Sequence, residues 1–227
     1  MSQPIVELHD VWKEYQIDDE VVFTALKGIS FSIGKGEFTA LLGPSGSGKS
    51  TAMHIIGLLD KPSRGEVRIE GKQIAEMKDD QISTLRNEFV GFVFQQFNLI
   101  PKLTIKENIL LPTIYSRKKL AYDPSEKADS LMKRFGIFEK AQSYPNKISG
   151  GQQQRVAIAR SLIMNPQLIL ADEPTGNLDT KTGDEIMKLL EELNKQENIT
   201  IVIVTHEPDI ANRTRRKITI IDGKIAT

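Results

Sequence analysis

Cysteine is absent from the 227-residue sequence, which excludes disulfides and thiolate metal sites and fits a reducing compartment. Net charge is absent too, since 30 Lys and Arg balance 30 Asp and Glu. Bulk electrostatics therefore give no argument for nucleic acid, which is not expected as a partner, and none for an anionic membrane surface. No run approaches the ~18 apolar residues of a membrane-spanning helix. Met1 to Glu7 carries neither a basic nor an apolar leader region, so no signal peptide is expected. Internal repeats, low-complexity tracts and coiled-coil insertions are also missing. What remains, 39% hydrophobic and 26% charged residues, is the composition of an ordinary globular protein with one sizeable domain or a domain with an inserted lobe, expected in the cytosol.

One stretch organises the rest. Gly43-Pro44-Ser45-Gly46-Ser47-Gly48-Lys49-Ser50-Thr51 reads as G-x-x-x-x-G-K-[ST], a phosphate-cradling loop. Glycines let backbone N–H groups curl around a β-phosphate. Lys49 reaches the β/γ oxygens, and the Ser50 hydroxyl is placed to ligate Mg²⁺. The flanks agree. Phe38 to Leu42 is an apolar strand, and Thr51 to Ile56 continues as a helix whose positive end faces the phosphates.

Before this loop, Ile5–Tyr15 and Val21–Ile33 read as antiparallel strands joined by a polar turn. After it come a helix from Lys49 to Leu59, a strand at Glu66–Ile69, a helix over Asp79–Phe89, and a buried strand at Val90–Phe94 ending at Gln95-Gln96. From about Phe97 to Ile163 the pattern turns helical, with a capping box at Thr104 to Glu107, a Pro-initiated helix after Asp123, and a third helix opening at Ser149. Strands then resume at Leu168–Ala171 and Thr200–Val204, with an amphipathic helix from Lys181 to Lys195 between them. A hairpin turning at Asp222-Gly223 follows. The expected fold is α/β: a mostly parallel sheet flanked by helices, an antiparallel N-terminal β subdomain, and an inserted helical lobe.

Asp172 and Glu173 end the apolar strand at 168–171. A carboxylate there lies beside the phosphate loop of an open α/β sheet. Asp172 is placed to hold Mg²⁺ opposite Ser50, and Glu173 to orient or deprotonate a water at the γ-phosphate. Ser149-Gly150-Gly151-Gln152 supports two readings. S-x-x-Q is a helix capping box needing no ligand. Two glycines at a helix start are equally a second anion site. Since the β-phosphate already has a loop, the second site is surplus unless two chains pair head to tail, each capping the other's γ-phosphate.

These motifs, in this order, resemble the ATP-binding subunit of an ABC transporter, and the resemblance covers essentially the whole chain. Walker A lies at 43–51, the Q-loop glutamine at Gln95, the signature at Ile148 to Gln152, and Walker B at 168–172 with Glu173 next. The D-loop lies at Asn177-Leu178-Asp179 and the switch histidine at His206. Gln95 to Pro101 and Ile148 to Arg160 resemble the lipoprotein-release, macrolide-efflux and antimicrobial-peptide-efflux branch. Small departures are Ile148 for the commoner Leu, Gly176-Asn177 for Ser-Ala, and Glu207 where Asp is frequent.

The resemblance implies a P-loop NTPase (RecA-like) core at 1–96 and 164–227, with a helical signature subdomain at 97–163. It implies an ATPase using ATP and Mg²⁺, with Glu173 as general base, His206 sensing the γ-phosphate, and Gln95 touching the metal or attacking water. Tyr15 matches the aromatic that stacks on adenine, and Asp179 lies across the interface of an ATP-dependent homodimer. It also implies a cytoplasmic motor, peripheral on the inner membrane face, that drives a permease docked near Gln95–Leu103; an extracytoplasmic adaptor is a further partner it allows. A regulatory ATPase of the cell-division type, signalling without transport, is the alternative. Soluble ABC proteins of translation or repair fit less well, as they carry tandem cassettes or long coiled-coil insertions. His9, His54 and Trp12 read as ordinary packing or surface residues.

Overall fold

Strand alternation in this chain builds two cores rather than one. The computed structural model describes residues 4–17 and 21–226. Met1 to Gln3, the polar turn expected at 18–20, and Thr227 lie outside the described residues. In chain order the elements are β1 (Pro4–Ile17), β2 (Val21–Gly34), β3 (Phe38–Leu42), α1 (Lys49–Ile56), β4 (Arg64–Ile69), β5 (Lys72–Gln73), α2 (Asp79–Phe89), β6 (Val90–Phe94) and α3 (Ile105–Ile114). They continue as α4 (Pro124–Arg134), α5 (Gly150–Leu162), β7 (Leu168–Asp172), α6 (Thr180–Glu197), β8 (Thr200–Thr205), α7 (Pro208–Asn212), β9 (Arg216–Ile221) and β10 (Lys224–Ala226).

The first sheet, ordered β2-β1-β4-β5, is antiparallel throughout. In β1 the buried positions run Val6, Leu8, then Val11. A register irregularity between Leu8 and Val11, with Asp10 in the left-handed region at φ 47°, shifts the inward set from even to odd positions. The second sheet is ordered β10-β9-β3-β8-β7-β6 and is parallel except where β10 folds back on β9. The expected terminal hairpin is thus there, and its first strand also joins the central sheet beside β3.

Parallel strands covered on both faces read as continuous apolar runs, and every residue of β8 is buried. Side chains alternate between faces. Leu168, Leu170, Val202 and Val204 pack toward α1 and the antiparallel sheet, with Leu8, Ile29, Met53 and Ile69. Their neighbours Ile169, Ala171, Ile201 and Ile203 pack toward α3 to α6, with Ile109, Met132, Val156 and Leu190. The parallel sheet is the partition between the two.

Helix ends follow local chemistry. Thr104 and Glu107 close the expected capping box on α3, and Asp123 caps α4. Helix α1 stops at Ile56, short of Leu59, because Leu58 takes φ 59°. Helix α6 runs longer than its apolar pattern, since Asp179 accepts from Thr182 N at 3.0 Å and Asn198 ends it in the left-handed region.

A buried asparagine fixes the segment between β6 and α3. Asn108 Oδ1 accepts from Ile100 N at 2.7 Å, and its Nδ2 donates to the carbonyls of Ile100, Leu103 and Thr104. It is wholly buried, so no water replaces it easily. Asn108→Ala is expected to cost about 2–3 kcal/mol through the backbone groups it orphans. That lowers the midpoint of a thermal melt by about 5–10 °C; an unchanged melt contradicts this role.

Candidate functional site

Strand register brings most of the candidate groups to one edge. Leu42 of β3 pairs with Thr205 of β8, Val204 pairs with Asp172 of β7, and Phe94 of β6 pairs with Asp172. The phosphate loop, His206, Asp172-Glu173 and Gln95 therefore all leave the carboxyl ends of neighbouring strands, where open α/β sheets bind ligands. Asp172 is not on the strand next to the loop: β8 intervenes. Loop and Gln95 stand three strand spacings apart, about 14 Å, which is the span that the intervening side chains bridge.

The loop is held from behind. A side chain at Gly43 would lie 2.0 Å from Ile220 O, and Gly48, at φ 105°, would meet Ala25 O at 2.6 Å. The turn of the β9–β10 hairpin braces it, with Gly223 N donating to Ser47 O at 2.9 Å and Lys27 N to Gly223 O at 2.8 Å. In front, α1 has no side-chain cap and no acidic residue in its first turn, so its leading N–H groups are free to meet an anion. Ser50, Pro44, Ser45 and Gly46 are exposed. Lys49 is buried, and its Nζ donates to Pro44 O at 2.8 Å. Burial pushes its pKa down, opposed by the charges of Glu173 and Asp172.

Two carboxylates face this lysine. Burial pushes Asp172 above its ordinary range and the charge of Glu173 adds to that, while His54 and Lys49 oppose it. His54 is thus part of the local field rather than plain packing. Glu173 takes φ 43°, a left-handed conformation costing about 1 kcal/mol. Bonds from its N–H to Val204 O and from Gly176 N to its carbonyl hold it there, at 2.9 and 3.1 Å. Its Oε1 lies 2.7 Å from His206 Nδ1. His206 is exposed on its other side, at 55% for the side chain against 24% for Glu173. Asp172 and Glu173, the Ser50 hydroxyl and the Gln95 amide, all at this sheet edge, are oxygen donors of the kind a hard divalent cation takes when it shares its shell with phosphate.

Gln95 is pinned by the loop after β7. Its carbonyl accepts from Asn177 Nδ2 at 2.9 Å, and its side chain lies 2.6 Å from where a Cβ on Gly176 would stand. The departure Gly176-Asn177 therefore shapes this contact. Tyr15 stands over the start of α1, its hydroxyl donating to Asp60 Oδ2 at 3.0 Å with Thr51 beside it. Lys13 Nζ lies 4.9 Å from the ring centroid and 2.6 Å from Asp60 Oδ1. Trp12, read as unremarkable, has Arg64 stacked 4.5 Å over its ring.

The signature residues sit apart from this cluster within one chain. Ser149 Oγ accepts from Gln152 N and Gln152 Oε1 from Ser149 N, at 3.3 and 3.0 Å, so the capping-box reading holds. Ser149 is nevertheless exposed. A Cβ on Gly150 would touch Leu178 and Phe97, and one on Gly151 would lie 2.4 Å from Thr182 Cγ2. Asp179 caps α6 and takes the Thr182 hydroxyl at 2.6 Å. Sequence reasoning missed the Gly223 brace, the Lys13–Asp60 support of Tyr15 and the partners of Gln95. Each joins residues distant in sequence, and only the unusual Gly176-Asn177 pair signalled one of them.

A family model described as ABC transporter matches residues 26–176. The chain is 48% identical over 221 residues to the macrolide export ATP-binding/permease protein MacB of Bdellovibrio bacteriovorus, covering 97% of this chain and 33% of that protein. It is 46% identical over 225 residues to the lipoprotein-releasing system ATP-binding protein LolD of Anaeromyxobacter dehalogenans, covering 99% of this chain and 94% of that one. Among solved structures it resembles a dimeric ATP-binding cassette in a post-hydrolysis state with ADP and phosphate, at TM-score 0.89 and 45% identity over 98% of this chain and 97% of that one. The chain thus spans about a third of the macrolide exporter and nearly all of the lipoprotein-release protein.

The strained electrostatics of Asp172 give a stability prediction. Its folded pKa is raised, so its favourable contribution is complete below the ordinary carboxylate pKa and is lost as pH rises through the folded value. At neutral pH the ligand-free chain carries that loss, and Asp172→Asn, which mimics the protonated form, is expected to melt a few degrees higher. The difference should shrink as pH falls toward the carboxylate range. A lower melt for the variant at neutral pH contradicts this account.

Proposed function

The chain belongs to the ABC transporter family, and on that premise we propose that it is the ATP-hydrolysing motor of a membrane export or extraction system. The observation that carries the reading is the convergence of an uncapped helix start, a buried lysine and the Glu173–His206 pair on one sheet edge. ATP lies with its β- and γ-phosphates on the 43–51 loop and its adenine on Tyr15. Ser50, Asp172 and Gln95 would hold Mg²⁺, which would supply charge neutralisation at the phosphate oxygens.

Hydrolysis follows from the residues around the γ-phosphate. A water attacks the γ-phosphorus as its proton passes to the Glu173 carboxylate, and the bond to the β-phosphate oxygen breaks, giving ADP and phosphate. His206, bonded through Nδ1 to Glu173, keeps that carboxylate oriented. When doubly protonated it also donates through Nε2 to a γ-phosphate oxygen, bridging base and substrate. Lys49 and the α1 amides stabilise the departing charge.

Ser149 is exposed at the turn, while Gly150 and Gly151 are half-buried beside Leu178, Phe97 and Thr182; an exposed serine at a helix start is what a head-to-tail dimer needs. Each chain's turn, with Gln152 and Asp179 near it, closes over the nucleotide of the other copy. The γ-phosphate then holds the two copies together only while it is intact, so hydrolysis opens the interface. We take 1–96 with 164–227 as the nucleotide-binding core and 97–163 as a lobe that turns against it.

The motion passes to a permease. A cavity of about 480 Å³ opens between α2, β6, α3 and α5, lined by Leu59, Phe92, Phe94, Pro112, Tyr115 and Met164. Tyr115 in this lining is exposed at 68%, and the residue before it in the chain, Ile114, at 73%, which suits an apolar segment of a membrane subunit. The groove takes in Asn98 but otherwise lies toward α2 rather than along 99–103. Among the described residues no helix is long and apolar enough to cross a membrane. The name of the lipoprotein-releasing relative, an ATP-binding protein of a releasing system, supports a permease partner and an inner-face, cytoplasmic position. The names of both relatives favour transport over a purely regulatory role.

Glu173→Gln is expected to lower kcat by roughly 10²–10⁴ while ATP still binds, leaving a long-lived dimer on gel filtration with Mg-ATP. A monomer under saturating Mg-ATP overturns the dimer mechanism. Tyr15→Ala is expected to weaken ATP binding by roughly two- to tenfold with kcat nearly unchanged, read from the titration of a fluorescent nucleotide; an unaltered affinity removes Tyr15 from the site.

A further inference from the structure

Directly after Gln95-Gln96, two consecutive non-glycine residues take left-handed backbone, Phe97 at φ 59° and Asn98 at φ 47°. That conformation is unfavourable for a side chain such as phenylalanine and persists only where the surroundings enforce it. Local bonds from Phe97 N to Phe94 O and from Asn98 N to Gln96 O tighten the turn, at 3.1 and 2.6 Å. The carbonyls it turns outward are taken by one side chain. Arg160 Nη1 donates to Asn98 O at 2.5 Å and its Nη2 to Phe97 O at 2.8 Å. The forked guanidinium suits two adjacent acceptors in a way an ammonium does not. Burial pushes the Arg160 pKa down, and no acidic neighbour among the described residues offsets that. The half-buried guanidinium gives up part of its hydration to these two carbonyls.

Arg160 lies on α5, the helix whose first turn holds Gly150 and Gly151. From the same helix, Gln154 Nε2 donates to Pro174 O at 2.7 Å, next to Glu173. Gln95 stands between the two tethered loops, bonded to Asn177 and packed on Gly176. Asn98 and Arg160 both line the cavity between α2, β6, α3 and α5, so whatever fills that cavity touches the tether.

We propose that Arg160 is a positioning residue for Gln95: by gripping the left-handed Phe97–Asn98 turn it ties the glutamine's place at the sheet edge to the movement of α5 and to the occupant of the groove. This rests on Gln95 serving hydrolysis, as read above. Arg160 touches neither nucleotide nor metal, and acts only through the turn.

The test is a double-mutant cycle in the full chain, combined with hydrogen exchange. Arg160→Lys keeps the charge and removes the fork. It is expected to lower kcat roughly tenfold to a hundredfold with little change in KM for ATP, the scale of a small misplacement in an active site. In a Gln95→Ala background the same substitution should leave kcat unchanged, although its effect on the melt persists. Amide exchange at Phe97 and Asn98 should accelerate in Arg160→Lys while the loop at 43–51 stays protected. Should Arg160→Lys fold poorly, Asn98→Ala strains the same turn with the arginine in place and is expected to show the same Gln95-dependent loss. Equal losses with and without Gln95, or unaltered exchange at 97–98, overturn the proposal. The exchange data decide it even if the unmodified chain hydrolyses no ATP, an outcome that strikes the functional reading alone.

Discussion

The constraint on which the rest depends is the in-register ending of four parallel strands. Because β3, β8, β7 and β6 stop level with one another, backbone hydrogen bonding alone sets the spacing between loop, histidine, acids and glutamine. No side chain has to reach for that arrangement. Gly43 after β3 and the left-handed Glu173 after β7 then turn those two chain ends at the edge. The two faces of the sheet are filled independently, so the edge is braced from both sides against collapse.

Helix starts distinguish an anion site from a structural cap. Helices α3, α4, α5 and α6 have leading N–H groups taken by Thr104, Asp123, Ser149 and Asp179, whereas α1, like α2 and the short α7, has no such side-chain bond, and α1 follows the glycine-rich loop. A helix dipole is present in all of them; what differs is whether the protein has already satisfied it. For Ser149 this matters, since its hydroxyl accepts from its own helix and still has a proton to give. A serine that both caps and donates is compatible with the second reading of the signature without requiring it.

Much of this was legible in the chain of residues because it is local. The loop at 43–51 carries its own flanks, the capping boxes carry their own partners, and apolar runs separated by helices imply a parallel sheet. Where the reading fell short, the cause was distance along the chain. Nothing near Asp222-Gly223 says that this turn braces Ser47, and nothing near Lys13 says that it steadies Tyr15 through Asp60. Arg160 was visible only as one basic residue on a helix, because its two acceptors lie more than 60 positions earlier. The end of α1 was missed for a different reason: Leu58 looks helical, but the turn that feeds β4 requires it left-handed.

The partition formed by the parallel sheet has an evolutionary reading. The apolar lining of the groove is drawn from both packed compartments, Val90, Phe92 and Phe94 from the one that also holds α1 and Met164 from the other. Substitutions that refit the groove therefore press on the packing behind α1, the helix that follows the phosphate loop, and the two regions do not vary independently. A lineage built this way can reshape that surface only as fast as the shared packing behind it allows.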